Sequence, residues 1–328
     1  MTNTAMTPSS MVVLAAVFVA LIIGSVIRLV SLWSVTTEKA RSRRASLLTW
    51  WILAAMLAAS VLAGTLGVCI LLAVASWMGF SEYRSLEARD EADRFASNLL
   101  RCTIPVVYLS IYLGWGLTAL ALLPLLAVLV VATSDVVHGV TRGYVRSIGA
   151  LVFGAVVLIG GLGHAAEIVA GPAAENAVGG PAGWFIFLVV LTELNDISQA
   201  LVGRRIGSHH ITPTVSPNKT GEGLLGGILV TVAAALVLSP FLTPLTTRTA
   251  PTWTAFSWLA PLMWPLFAGL VIALAGFLGD LNMSAIKRDA GVKDSSRALP
   301  GMGGVLDRID SLTLTAPVFY WLIVVPTS

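Results

Sequence analysis

Long apolar stretches alternate along the chain with short segments in which the charged residues collect. The apolar stretches lie at about 11–33, 47–80, 103–133, 147–170, 183–202, 224–245, 255–279 and 312–326. A helix needs about 20 residues to cross a hydrocarbon core of ~30 Å, and most of these stretches reach that length. Continuous runs such as Ser147 to Ala170 do not alternate with the period of two that a transmembrane β-barrel requires. The pattern predicts an all-α, polytopic integral membrane protein with about 8–10 transmembrane helices, some of them short and paired.

The placement of lysine and arginine sharpens this picture. Segment 34–46 holds Lys39, Arg41, Arg43 and Arg44, and segment 81–102 holds Arg84, Arg89, Arg94 and Arg101. Segment 134–146 holds Arg142 and Arg146, segment 203–223 holds Arg204, Arg205 and Lys219, and 280–311 carries five more. Only Arg28 and Arg248 fall elsewhere. The positive-inside rule places all five segments in the cytoplasm. Both ends of 47–80 and both ends of 103–133 must then face the same side. Each is expected to be a tight hairpin of short helices, bent near Gly64 to Gly67 and near Gly114 to Gly116. That gives about ten crossings with both termini outside, or eight if the hairpins merge. The segments 171–182 and 246–254 become short external turns. No basic region precedes the first apolar run, so it reads as a retained span and not a cleaved signal peptide.

Composition agrees. Of 328 residues, 56% are hydrophobic and 11% charged, whereas a soluble domain carries about 25% charged residues. Cys69 and Cys102 lie in or beside apolar runs and read as packing residues, with no disulfide or zinc site suggested. No repeat and no soluble domain is evident. Residues 1–170 read as an N-terminal transmembrane scaffold. Residues 171–328 read as a catalytic core whose loops 203–223 and 280–311, joined by two spans, return to one face.

Three polar groups carry candidate chemistry. Glu193 and Asp196 stand three apart at the end of an apolar helix, on one face. Acids in spans are costly and mark a pathway or a site, although solvation at a helix end is the plainer reading. Ser216-Pro217-Asn218-Lys219-Thr220, with Glu222, precedes a helix start and offers a phosphate cradle. It lacks the glycine spacing of a Walker loop, and a turn between spans would look similar. The stretch Ser284 to Asp310 is the richest, setting Lys287, Arg288, Lys293, Arg297 and Arg308 among Asp289, Asp294, Asp307 and Asp310 around a Pro-Gly-x-Gly-Gly turn. Asp307 and Asp310 share a helical face, and Asp280 at the end of the preceding span joins them as a site for Mg²⁺, which favours a few carboxylates plus phosphate oxygens. Lys287, Arg288, Lys293 and Arg308 are placed to neutralise a polyphosphate.

The run from Ser284 to Asp310 closely resembles the signature of the phosphatidate cytidylyltransferases, or CDP-diacylglycerol synthases. Ser-Pro-Asn-Lys-Thr-Gly-Glu-Gly at 216–223 and Gly-Asp-Leu at 279–281 resemble two further motifs of that family. Asn195 to Gln199 and Ser81 to Tyr83 are looser echoes, and the resemblance covers about 190–315. It implies that CTP and phosphatidic acid react to CDP-diacylglycerol and pyrophosphate, with Mg²⁺ and a second cation. It implies metal ligands at Asp280, Asp307 and Asp310, and catalytic roles for Ser216 and Lys219. It further implies substrate contacts at Asp196, Thr220, Glu222, Lys287, Arg288, Lys293, Asp294 and Arg308. A homodimer in the bacterial inner (cytoplasmic) membrane, its site facing the cytoplasm, and no nucleic-acid partner are also expected. Two positions depart: Met302 stands where the family has His, and Gly221 where it has Trp. Met302 cannot move a proton, so reduced activity is expected. A CTP-dependent lipid-alcohol kinase and a non-catalytic or transport protein, with Glu193 and Asp196 as ion sites, are the rival readings.

Overall fold

The computed structural model describes residues 7–31, 38–87, 91–171, 178–247 and 259–327. The expected external turns fall largely outside the described residues. The described chain is helical almost throughout. It runs α1 Pro8–Ser31, α2 Glu38–Leu62, α3 Gly64–Glu87, α4 Glu91–Tyr112, α5 Gly116–Val137, α6 Tyr144–Gly154 and α7 Gly161–Ala170, the last two joined by π-helical turns at Ala155–Gly160. It continues with α8 Gly183–Ile206, strands β1 His210–Thr212 and β2 Ser216–Thr220, α9 Gly221–Leu242, α10 Ala260–Asp289 and α11 Leu306–Phe319, which runs on through Tyr320–Val324 into α12 Val325–Thr327. Among the described residues, eight helices are long and apolar enough to cross a membrane. The fold is an all-α, polytopic integral membrane protein.

The two long apolar stretches do break where expected. Gly64 and Gly114 have φ of +76° and +86°, a backbone region that side chains with a Cβ seldom tolerate. The chain reverses there between α2 and α3 and between α4 and α5. The paired helices are not short, however, because each begins or ends inside a charged segment: α2 starts at Glu38 and α3 runs to Glu87. Lys, Arg and Glu are good helix formers and can keep their charged ends in water while the backbone winds on.

A second expectation needs correcting in the same way. Segment 280–311 is not wholly a loop, since α10 continues to Asp289 and the irregular part is confined to about 290–305. Asp280, Ser284 and Lys287 recur at helical spacing, so one face of α10 stays polar and addresses the site. Segment 203–223 holds an antiparallel hairpin between the ends of α8 and α9, with His210 opposite Thr220 and Thr212 opposite Ser216. Val215 N–H donates to the Thr212 carbonyl at 3.1 Å to close its turn.

The core lies where α7, α8, α10 and α11 meet. Trp184, Phe185 and Phe187 of α8 and Phe319 of α11 are fully buried there, with Trp184 and Phe319 ring centroids 5.8 Å apart. Glycines let the backbones approach, as is usual between helices in lipid. At Gly279 a Cβ would stand 2.8 Å from the Asp310 carbonyl oxygen and 3.0 Å from that of Ser311. This crossing sets Asp280, the next residue of α10, beside the start of α11.

Candidate active site

The site forms at one end of the bundle, where the hairpin, the end of α10, the loop 290–305 and the start of α11 converge. Lys219 on β2 reaches Asp280 on α10, with Nζ to Oδ2 at 2.6 Å. It also donates to Gln199 Oε1 on α8 at 2.8 Å. Arg288 Nε donates to the Val215 carbonyl at 3.3 Å and Arg288 Nη1 to the Val292 carbonyl at 2.9 Å. The two polar segments, separated by two spans, therefore build a single centre.

Acids cluster around Lys219. Asp310 interacts electrostatically with Asp280 and Asp196, and Asp196 with Lys219 and Asp280. Asp196 Oδ2 accepts from Ser311 Oγ at 2.7 Å, while its Oδ1 is buried with no hydrogen-bond partner. Leaving a buried polar atom unpaired costs about 1–3 kcal/mol, and more for a charged group. Glu193 sits within range of both Arg308 and Asp310. Arg308 Nε is likewise buried and unpartnered.

Asp307 takes a different part from the one expected. Its Oδ1 accepts from Lys287 Nζ at 2.7 Å, an ion pair with both side chains largely buried. Its Oδ2 accepts from Ser295 N–H at 3.0 Å, Ser295 Oγ at 3.1 Å and Gly304 N–H at 2.9 Å. Asp307 lies outside the eight spans. Burial opposes its ionisation, but the Lys287 ammonium and the two amides outweigh burial and hold the carboxyl below the usual carboxylate range. The expected triad of Asp280, Asp307 and Asp310 is thus not assembled. Asp307 is saturated by donors and ties the loop. Among the described residues no group of three or more His, Cys, Asp or Glu stands ready to hold a metal ion.

The remaining expected residues divide. Thr220 is buried and caps α9, its Oγ1 accepting from Gly223 N–H at 3.1 Å, so it holds the helix start. Glu222 is taken up by the hairpin, accepting from Ser208 Oγ and bonded to His209 Nδ1, each at 2.6 Å. Ser216 begins β2 and is half-buried, while Lys293 and Asp294 are exposed.

One residue outside the expected set stands at the loop. Glu82 near the end of α3 accepts from Ser295 Oγ at 2.7 Å and from Leu306 N–H at 2.9 Å through Oε2. Through Oε1 it accepts from Ser296 Oγ at 2.8 Å and Val305 N–H at 3.0 Å. Its sequence signal was only Ser81-Glu82-Tyr83 at the end of an apolar run. Thr49 on α2 adds a hydrogen bond from Oγ1 to the Pro300 carbonyl at 2.9 Å. The glycines of the loop answer to these carboxylates. A Cβ at Gly303 would stand 2.6 Å from Asp307 Oδ2, and one at Gly304 would collide with Ser295 Oγ and Glu82 Oε2.

Fold and site together define a polytopic membrane protein with a charged centre at the end of its helix bundle. The chain belongs to the cytidylyltransferase family, whose model matches residues 44–325. It is 37% identical over 310 residues to the uncharacterized protein YnbB of Escherichia coli, covering 94% of this chain and 97% of that one. It is 37% identical over 142 residues to a phosphatidate cytidylyltransferase of Staphylococcus epidermidis, covering 43% of this chain and 49% of the relative. For a Mycobacterium bovis phosphatidate cytidylyltransferase the figures are 33% over 141 residues, 43% of this chain and 41% of the relative. The matched region thus spans less than half the length of these named enzymes.

Proposed function

We propose that the protein transfers a cytidylyl group from CTP to phosphatidic acid, giving CDP-diacylglycerol and pyrophosphate. A phosphate oxygen of phosphatidate attacks the α-phosphorus of CTP. The new P–O bond forms as the bond to the bridging oxygen breaks, and pyrophosphate leaves with that oxygen. The attacking group is already ionised, so the site is asked for alignment and charge neutralisation more than for a base. Met302 in place of a histidine is compatible with that demand.

The observation that carries this reading is the 2.6 Å contact between Lys219 and Asp280. It joins the hairpin to the acids of α10 and α11, as a site for one polyphosphate requires. Lys219 would move from Asp280 to the phosphates, and Arg308, with its unpartnered Nε, would take up further phosphate charge. Asp280 and Asp310, backed by Asp196, would hold a divalent cation such as Mg²⁺. The fit rests on the orphaned Asp196 oxygen and on three mutually repelling carboxylates, and one or two carboxylates plus phosphate oxygens are enough for that ion. Bound there, the ion would offset triphosphate charge. Phosphatidate would lie in the inner leaflet of a bacterial cytoplasmic membrane, with CTP arriving from the cytoplasm.

The test is an assay of membranes containing the protein with phosphatidate, Mg²⁺ and CTP labelled at either the α- or the γ-phosphorus. The α-label should enter a lipid product that comigrates with CDP-diacylglycerol. Entry of the γ-label alone would overturn the proposal in favour of a lipid-alcohol kinase, and no label in lipid would overturn it outright.

A further inference from the structure

The loop that leads into α11, and so to Asp307 and Arg308, is held from the far side by a residue of the N-terminal half. Glu82 accepts four hydrogen bonds, two from serine hydroxyls and two from backbone amides, all at 2.7–3.0 Å. The amides belong to Val305 and Leu306, at the very start of α11. These N–H groups have no partner within the helix. A carboxylate there supplies acceptors and complements the positive end of the helix dipole. Val305 at the cap position makes no side-chain cap bond. The cap arrives instead from a residue 223 positions earlier.

Glu82 reaches both arms of the loop, since Ser295 and Ser296 lie before the Pro-Gly turn and Val305 and Leu306 after it. Ser295 also bonds Asp307 Oδ2, so Glu82 and Asp307 share one donor. Gly304 has no Cβ because these groups close upon it. Rotating or sliding α11 would break the Glu82 contacts to its first turn. One turn further along stand Arg308 and Asp310.

We infer that Glu82 is a positioning residue for nucleotidyl transfer: its carboxylate clamps the loop 295–306 and fixes the register of α11, and so the placement of Arg308 and Asp310. This rests on the function proposed above. A group displaced by about 1 Å can lose on the order of 100-fold in rate, so the clamp should be visible in turnover.

The test compares the wild type with Glu82→Gln and Glu82→Asp, each purified as the full chain in lipid nanodiscs. Glutamine keeps the shape but turns an amide donor toward the Leu306 N–H or the Val305 N–H. We expect kcat to fall about 10- to 100-fold in Glu82→Gln, with KM for CTP changed less than about threefold. Glu82→Asp keeps two acceptor oxygens and should recover part of the lost kcat. Amide exchange read on a peptide containing Val305 and Leu306 should accelerate in Glu82→Gln while the other helices keep their protection. Wild-type kcat in Glu82→Gln would overturn the inference, as would faster exchange spread evenly over the bundle. Should the wild type itself form no CDP-diacylglycerol, the functional reading has failed. Exchange at 305–306 then decides the clamp alone, and unchanged protection there overturns it.

Discussion

Lys219 is the residue on which the two polar segments turn. It is largely buried against Asp280, Gln199 and the face of Phe277, whose ring centroid lies 5.7 Å from Nζ. Replacing it with methionine would remove the phosphate-attracting charge and leave Asp280 without its cation. We predict that Lys219→Met lowers kcat/KM by at least about 100-fold, or roughly 3 kcal/mol of transition-state stabilisation, measured as CDP-diacylglycerol formed. The buried pair Lys287–Asp307 predicts a different signature. Asp307→Asn strands a buried ammonium and should cost about 3–5 kcal/mol, read as a lower unfolding temperature in detergent. Adding Lys287→Met to Asp307→Asn should restore part of that loss, because the stranded charge is then gone. The pH dependence follows from the lowered Asp307 carboxyl. Its contribution is complete above the ordinary carboxylate pKa of about 3.9 and disappears as pH falls through its lower folded value. Acid loosening of the loop should therefore set in below that range in the wild type and be absent in Asp307→Asn.

At the scale of elements, the loop 290–305 is shaped by what surrounds its backbone. Gly304→Ala would drive a methyl group into Ser295 Oγ and Glu82 Oε2, neither of which can retreat without giving up hydrogen bonds. We predict at least a tenfold loss of turnover in Gly304→Ala with an unchanged helical circular-dichroism signal, since the strain falls on the loop and not on the spans. The helices themselves were legible in the sequence: the charge pattern demanded reversals inside 47–80 and 103–133, and Gly64 and Gly114 provide them. What the pattern hid is where a helix stops being apolar but remains a helix. The last turns of α10, Leu281 to Asp289, read as loop because their charges look solvated, yet they line the site at helical spacing. The hairpin was hidden because Thr212-Pro213-Thr214-Val215 resembles any turn between spans. The contacts of Asp307 and Glu82 could not be read from the pattern of the chain. Ser295 and Gly304 saturate Asp307 from a loop of undetermined path, and the partners of Glu82 lie at least 213 positions away.

For the whole molecule, the informative quantity is the side of the membrane to which each charged segment is assigned. All five basic segments precede or follow helices in an order that returns each to one face, if α4 and the apolar run 312–326 cross as well as the eight apolar spans. The site would then lie on that face, between the water that would bring CTP and the leaflet that would hold the proposed phosphatidate. Hydrophobic burial does not distinguish this arrangement from its inverse, because lipid contacts the spans equally in both. The excess of lysine and arginine does, through the cost of moving those charges across the bilayer. Arg297 is exposed in the loop and provides a reporter. With Cys69 and Cys102 replaced by serine, Arg297→Cys in a bacterial host should react with a membrane-impermeant maleimide in inverted inner-membrane vesicles and stay unlabelled in intact spheroplasts. Labelling in spheroplasts would place the site on the outer face, where no CTP is available, and the proposed reaction would have no nucleotide to use.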